Sequence, residues 1–133
     1  RPVREALTVA QIEPHQIDYI NAHGTATLGN DLSEGNAIQT IFGKDKHPHF
    51  SSTKAFTGHT LAASGALEAI ICSLGIEHSF IPPNLRFETT MEEIAISPQK
   101  DLLLNIPVHY ALTNSFGFGG NNVSLVLKKY TAD

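Results

Sequence analysis

Cysteine is nearly absent from this chain: Cys72 is the single one in 133 residues. A lone cysteine cannot close an internal disulfide, so a reducing, cytoplasmic setting is the expectation. No basic run occurs, and the net charge is −4 at pH 7, which argues against nucleic acid as the main partner. No apolar run approaches the ~18 residues of a membrane span, so none is expected. The opening Arg1-Pro2-Val3-Arg4-Glu5 lacks the layout of a signal peptide. Internal repeats, low-complexity tracts and flexible linkers are missing, and so is the Gly-x-Ser-x-Gly elbow of a hydrolase. Charged residues make up only 17% of the chain, few enough to suggest that part of the surface is covered by something else.

What remains is a single-domain length with 41% apolar residues, able to bury roughly two-thirds of its unfolded surface. Val3, Ala6, Leu7 and Ala10 fall at helical spacing and end before Pro14. Ile17-Asp18-Tyr19-Ile20 reads as a strand that delivers His23 at its carboxyl end. Asp31 is placed to cap a helix reaching about Phe42, with Glu34 at capping-box spacing and Gly43 as its stop. Phe50 to Thr53 reads as a short strand, and a long helix starts at Thr57 or Gly58. Its small residues, 62–66, imply close packing against another backbone. Residues 85–101 read as an irregular excursion. Leu102–Asn105, Tyr110–Asn114 and Asn122–Leu127 read as three more strands, giving an α/β layered domain on a mixed five-stranded sheet.

Three stretches carry chemistry. In Asn21-Ala22-His23-Gly24-Thr25-Ala26-Thr27, the histidine sits where open α/β sheets bind ligands. Thr25 and Thr27 suit an amide-rich ligand, and equally an ST-turn. In Ser52-Thr53-Lys54 through Gly58-His59, His59 is expected in the first turn of the long helix, where the positive helix end favours a neutral, hydrogen-bond-donating imidazole; a helix-capping histidine reads the same. Lys54 is either a solvated loop residue or a buried cation, and Glu68, which interrupts an apolar stretch, is then its candidate partner. In Asn114-Ser115-Phe116-Gly117-Phe118-Gly119-Gly120-Asn121, the glycines precede a strand rather than a helix, so a phosphate cradle is rejected. A glycine-flanked Phe118 reads as a mobile plug, or as part of an ordinary turn. His47 and His49 match no metal-ligand spacing with His23, Asp31, Glu34 or His59, so no metal is expected.

These motifs, with Asn30-Asp31-x-x-Glu34, occur in an order that resembles the carboxyl-terminal half of a β-ketoacyl-acyl-carrier-protein synthase of the elongating, Cys-His-His type. The resemblance implies a thiolase-like fold of two similar halves, this chain being the second. It implies that His23 and His59 hydrogen-bond a malonyl thioester carbonyl and stabilise the enolate formed on decarboxylation. Lys54 would be the active-site lysine paired with Glu68; Asp31 and Glu34 would support the loop; Thr25 and Thr27 would bind the pantetheine arm. Phe118 would gate the acyl pocket, with Phe116 beside it. No cofactor is implied beyond the phosphopantetheine of an acyl carrier protein. The other partners implied are the missing amino-terminal half and a second copy or sister subunit in a dimer.

The family's nucleophilic cysteine belongs to that missing half. Cys72 lies mid-helix in Ala69-Ile70-Ile71-Cys72-Ser73-Leu74, an apolar setting that raises a thiol pKa, and is read as core. The isolated chain is therefore expected to be inactive, to expose the apolar face meant for the other half, and to self-associate. An alternative is half of a non-catalytic, chain-length-setting partner subunit. A third is a free-standing carrier-binding module.

Overall fold

A computed structural model describes residues 1–132. Helix α1, Pro2–Ala10, has proline at its first turn and stops at Gln11 in the left-handed region. Strand β1, Tyr19–Asn21, leads into helix α2, Leu28–Phe42. Strand β2, His49–Ser51, precedes the one-turn helix α3, Lys54–Thr57. A 3-10 turn, Leu61–Ala63, runs into helix α4, Ser64–His78. Four strands follow, β3 Phe80–Ile81, β4 Leu103–Leu104, β5 Tyr110–Phe116 and β6 Asn122–Lys128, with a 3-10 turn, Phe118–Gly120, between the last two.

The main sheet has the order β2-β1-β5-β6, with β1 parallel to both neighbours and β6 antiparallel to β5. The five-stranded sheet expected from the sequence is thus four strands. The fifth, Leu103–Leu104, pairs antiparallel with Phe80–Ile81 in a separate small sheet. Phe80–Ile81 follows directly on α4, so the nearest free edge for β4 is there and not on the main sheet.

Side-chain alternation splits the core in two. Ile20 and Leu112 face a cluster with Val3, Leu7, Ile38 and Phe50, which packs α1 and α2 on one side of the sheet. Tyr19 and Ala111 face the other side with Cys72 and Ile76 of α4. Helices therefore cover both faces. The 3-10 turn and α4 taken together, Leu61–His78, have a mean hydropathy of 1.2 and by length and composition alone could cross a bilayer. In this fold the segment instead packs on β5 and carries a buried, ion-paired Glu68 at its centre.

Three further readings shift. The second helix starts at Leu28, with Thr27 before it, so Asp31 lies inside its first turn and is not the cap. Glu34 does not complete a capping box, because its carboxylate is taken by tertiary contacts described below. The long helix starts at Ser64, not at Thr57 or Gly58, because Gly58 (φ 74°) and Leu61 (φ 51°) both leave the right-handed region. His59 consequently lies in the connecting turn, outside the helix.

Candidate active site

The parallel pairing decides what meets. Asn21 of β1 is in register with Ser51 of β2 and with Thr113 of β5. All three strands end at the same edge, so residues 21–27, 52–59 and 114–118 emerge together, at the place where open parallel sheets hold ligands.

His23 is buried two residues beyond β1. Its loop is fixed from α2: Glu34 Oε1 accepts the His23 N–H at 2.9 Å and Oε2 accepts the Gly24 N–H at 3.0 Å. Asn114 Nδ2 of β5 donates to the same carboxylate at 3.0 Å, and Ser124 of β6 donates to Asn114 Oδ1 at 2.7 Å. Burial pushes the Glu34 carboxyl pKa up, while these donors pull it back. Gly24 sits at φ 42°, and a Cβ there would lie 2.6 Å from Ser52 Oγ, so only glycine fits. Ser52 Oγ donates to the Gly24 carbonyl at 3.0 Å, and the Ser52 N–H donates to Asn84 Oδ1 at 2.8 Å.

Lys54 is buried and paired with Glu68 of α4, also buried. Burial raises the Glu68 carboxyl, and the lysine opposes it. The Lys54 ammonium also lies 3.4 Å from His23 Nδ1. An ammonium can only donate, so Nδ1 accepts and the ring proton of neutral His23 is on Nε2. Burial, then the Lys54 and His59 charges, lower the His23 pKa from 6.5 to about 4, so the imidazole is neutral at pH 7.

His59 is more open. Its Nδ1 receives the Leu61 N–H at 3.3 Å and lies 3.1 Å from Ser64 Oγ. An N–H donor aimed at Nδ1 again leaves the proton of the neutral ring on Nε2. The two rings stand edge-to-face with centroids 5.7 Å apart, and Phe116 packs 5.6 Å from His23. Two imidazoles whose Nδ1 atoms accept hydrogen bonds each keep an N–H on the free Nε2, a pair of hydrogen-bond donors held side by side.

The other expected residues are placed less centrally. Thr25 is half-buried and Thr27 exposed, their hydroxyls 3.0 Å apart. The Asp31 carboxylate bonds Asn30 Nδ2 at 3.2 Å, so the direct support of the His23 loop comes from Glu34. Phe118 is fully exposed on a 3-10 turn, with Gly119 and Gly120 at positive φ. His47 and His49 lie at the opposite end of β2, bonded to Pro48 and Gln99. Among the described residues no three His, Cys, Asp or Glu side chains are grouped to hold a metal. Three buried oxygens near the pair, Asn21 Oδ1, Glu68 Oε2 and Thr113 Oγ1, have no hydrogen-bond partner.

Reading the sequence missed Ser52, Ser64 and Asn114 as working parts of this network. Asn114 had a signal, an amide inside a β-forming run, and the serines had none beyond neighbourhood. A cavity of about 230 Å³ lies behind the loop, lined by Gly24, Ile38, Phe50, Met91 and Ile94. It includes neither histidine.

Comparison with known proteins gives one answer. Residues 1–88 match a family described as "Beta-ketoacyl synthase, C-terminal domain". A 3-oxoacyl-[acyl-carrier-protein] synthase 2 of Staphylococcus aureus is 41% identical over 133 residues, covering 99% of this chain and 32% of that protein. A 3-oxoacyl-[acyl-carrier-protein] synthase 1 of Haemophilus influenzae is 44% identical over 119 residues, covering 86% of this chain and 28% of that protein. A solved structure, the ishigamide ketosynthase/chain length factor, superposes with a TM-score of 0.88 at 38% identity, over 97% of this chain and 32% of that one. The chain spans about a third of the length of the proteins it matches.

Proposed function

The chain belongs to the β-ketoacyl synthase C-terminal domain family, and from that premise we propose that it is the carboxyl-terminal half of an enzyme performing decarboxylative condensation of a malonyl thioester with an acyl thioester. The observation that carries this reading is the matched pair of imidazoles. His23 and His59 both have Nδ1 occupied by a donor, which leaves two Nε2–H groups for one thioester oxygen. When the malonyl carboxylate leaves as CO2, its bonding electrons move onto the α-carbon and the thioester oxygen. Two fixed donors stabilise the enolate, and its carbon attacks the acyl thioester carbonyl, so that the new C–C bond forms as the acyl C–S bond breaks and the thiolate that carried the acyl group leaves. Lys54 and Glu68 hold His23 in register for this; Glu34 and Asp31 belong to the support of its loop. Thr25 and Thr27 line the pantetheine arm of an acyl carrier protein, and Phe118, with Phe116, gates the acyl pocket. No cofactor beyond the carrier's phosphopantetheine is needed, and the setting is cytoplasmic.

The nucleophile comes from an amino-terminal half. Cys72 is fully buried, and burial with the Glu68 charge raises its thiol from 9.0 to about 12, so it does not form thiolate at neutral pH. The isolated 133 residues should form no acyl-enzyme; acylation of Cys72 by an acyl thioester would overturn this. The whole protein would work as a homodimer or heterodimer. In the full-length protein, His23→Ala or His59→Ala should slow malonyl-thioester decarboxylation by about 100-fold or more, the usual effect of losing one oxyanion donor. A wild-type rate in both variants sinks the proposal. The second reading, half of a chain-length-factor-like subunit, is favoured by the ketosynthase/chain length factor among the structural neighbours. It requires a residue other than cysteine at the upstream nucleophile position, whereas the intact His23, Lys54 and His59 set supports the first reading.

A further inference from the structure

His59 and His23 are oriented by different means, and the means at His59 involve a residue with no assigned role. The Leu61 N–H that reaches His59 Nδ1 is long at 3.3 Å, and Leu61 itself sits at φ 51°, a costly conformation for a branched side chain. One such contact holds a ring poorly against rotation. The second comes from Ser64 Oγ at 3.1 Å. Ser64 is buried at the first position of α4, while His59, Thr60 and Leu61 are all exposed. Its place is fixed by its neighbour: a Cβ on Gly65 would lie 2.9 Å from Ser115 Oγ of β5, so the helix start is seated directly on the sheet. Thr60 Oγ1 lies 3.2 Å from Ser64 Oγ. With the Leu61 N–H making Nδ1 an acceptor, the Ser64 hydroxyl bonds the ring only by donating, sharing the Nδ1 lone pair, and Thr60 Oγ1 then donates to Ser64 Oγ.

We infer that Ser64 is a positioning residue for His59: its hydroxyl, backed by Thr60, donates to Nδ1 and holds the neutral imidazole in the tautomer that carries its proton on Nε2. The inference deepens the proposed function, since it rests on His59 donating to the enolate oxygen. Ser64 touches no reacting atom and acts only through the ring.

The test uses the full-length protein carrying this chain, with 15N-labelled histidine at pH 8 and His59→Gln to identify the signal. Wild type should show a single Nε2–H pattern at His59. Ser64→Ala should show a mixture of tautomers, and decarboxylation kcat should fall about fivefold, the worth of one ordinary hydrogen bond, with KM unchanged. Ser64→Thr, which keeps the hydroxyl, should restore the ring pattern and the rate, and Thr60→Val should give a smaller loss in the same direction. A single Nε2–H pattern with wild-type kcat in Ser64→Ala overturns the inference. Should Ser64→Ala not fold, an unchanged ring spectrum in Thr60→Val overturns it. Absence of decarboxylation in wild type would sink the functional reading, and the ring spectra would still decide for or against Ser64.

Discussion

His23 is buried and held by charge, and His59 is exposed and held by neutral donors. Around His23 the main struts are charge-assisted bonds between different elements, the Glu34 carboxylate on two N–H groups and Asn114, and the Lys54 ammonium between Glu68 and the ring, with the neutral Ser52–Gly24 bond beside them. Around His59 the hydrogen bonds span five residues or fewer, in a turn with two residues at positive φ. Exposed apolar side chains, Phe56, Leu61 and Phe118, come from the same edge of the sheet. The difference teaches where this chain is finished. One imidazole is built into the fold, and the other sits on an exposed apolar surface. The half-enzyme proposed above would account for both.

The largest effect is expected where charge does the holding. Lys54→Met leaves the Glu68 carboxylate buried without a cation, which should cost about 3–5 kcal/mol of stability, read as a drop in thermal midpoint of roughly 10–20 °C. Lys54→Met combined with Glu68→Leu should recover at least half of that. A fully stable Lys54→Met would erase the contrast between the two sides. A smaller effect is expected from Glu34→Gln. One of its oxygens becomes an NH2 facing an N–H that needs an acceptor, a loss of about 1–3 kcal/mol. Ser64→Ala should move the thermal midpoint by less than either.

The sequence disclosed this contrast unevenly. Strand alternation before His23, and a carboxylate interrupting the apolar run at Glu68, were enough to locate the buried side, because burial and periodicity are written in residue type. The exposed side was misplaced. His59 looked like a first-turn residue because Thr57 and Gly58 are good helix starts, and nothing local announced that Leu61 would take positive φ. Asp31-x-x-Glu34 was read as a capping box because spacing alone cannot tell a local acceptor from one engaged 11 residues away. The strand at Leu103–Leu104 was seen, but its partner, Phe80–Ile81, was hidden by the prolines that follow it.

The subtlest prediction uses His23 as its own reporter. Burial is the largest cause of its lowered pKa, with the Lys54 charge second. Its ring should therefore take up a proton near pH 4 in the folded chain, where an unfolded histidine does so near 6.5. Between those values the unfolded state binds one more proton than the folded state, so stability rises with pH. The contribution is complete above about 6.5, declines as pH falls towards 4, and is lost below it. NMR titration of the His23 ring should show that midpoint. Lys54→Met should raise it, but only part of the way to 6.5, because the ring stays buried. A full return to 6.5 would mean that charge alone set the value and that the loop is more open than its contacts indicate. No movement would mean that the lysine does not reach the ring, and the charged scaffold would then end at Glu68.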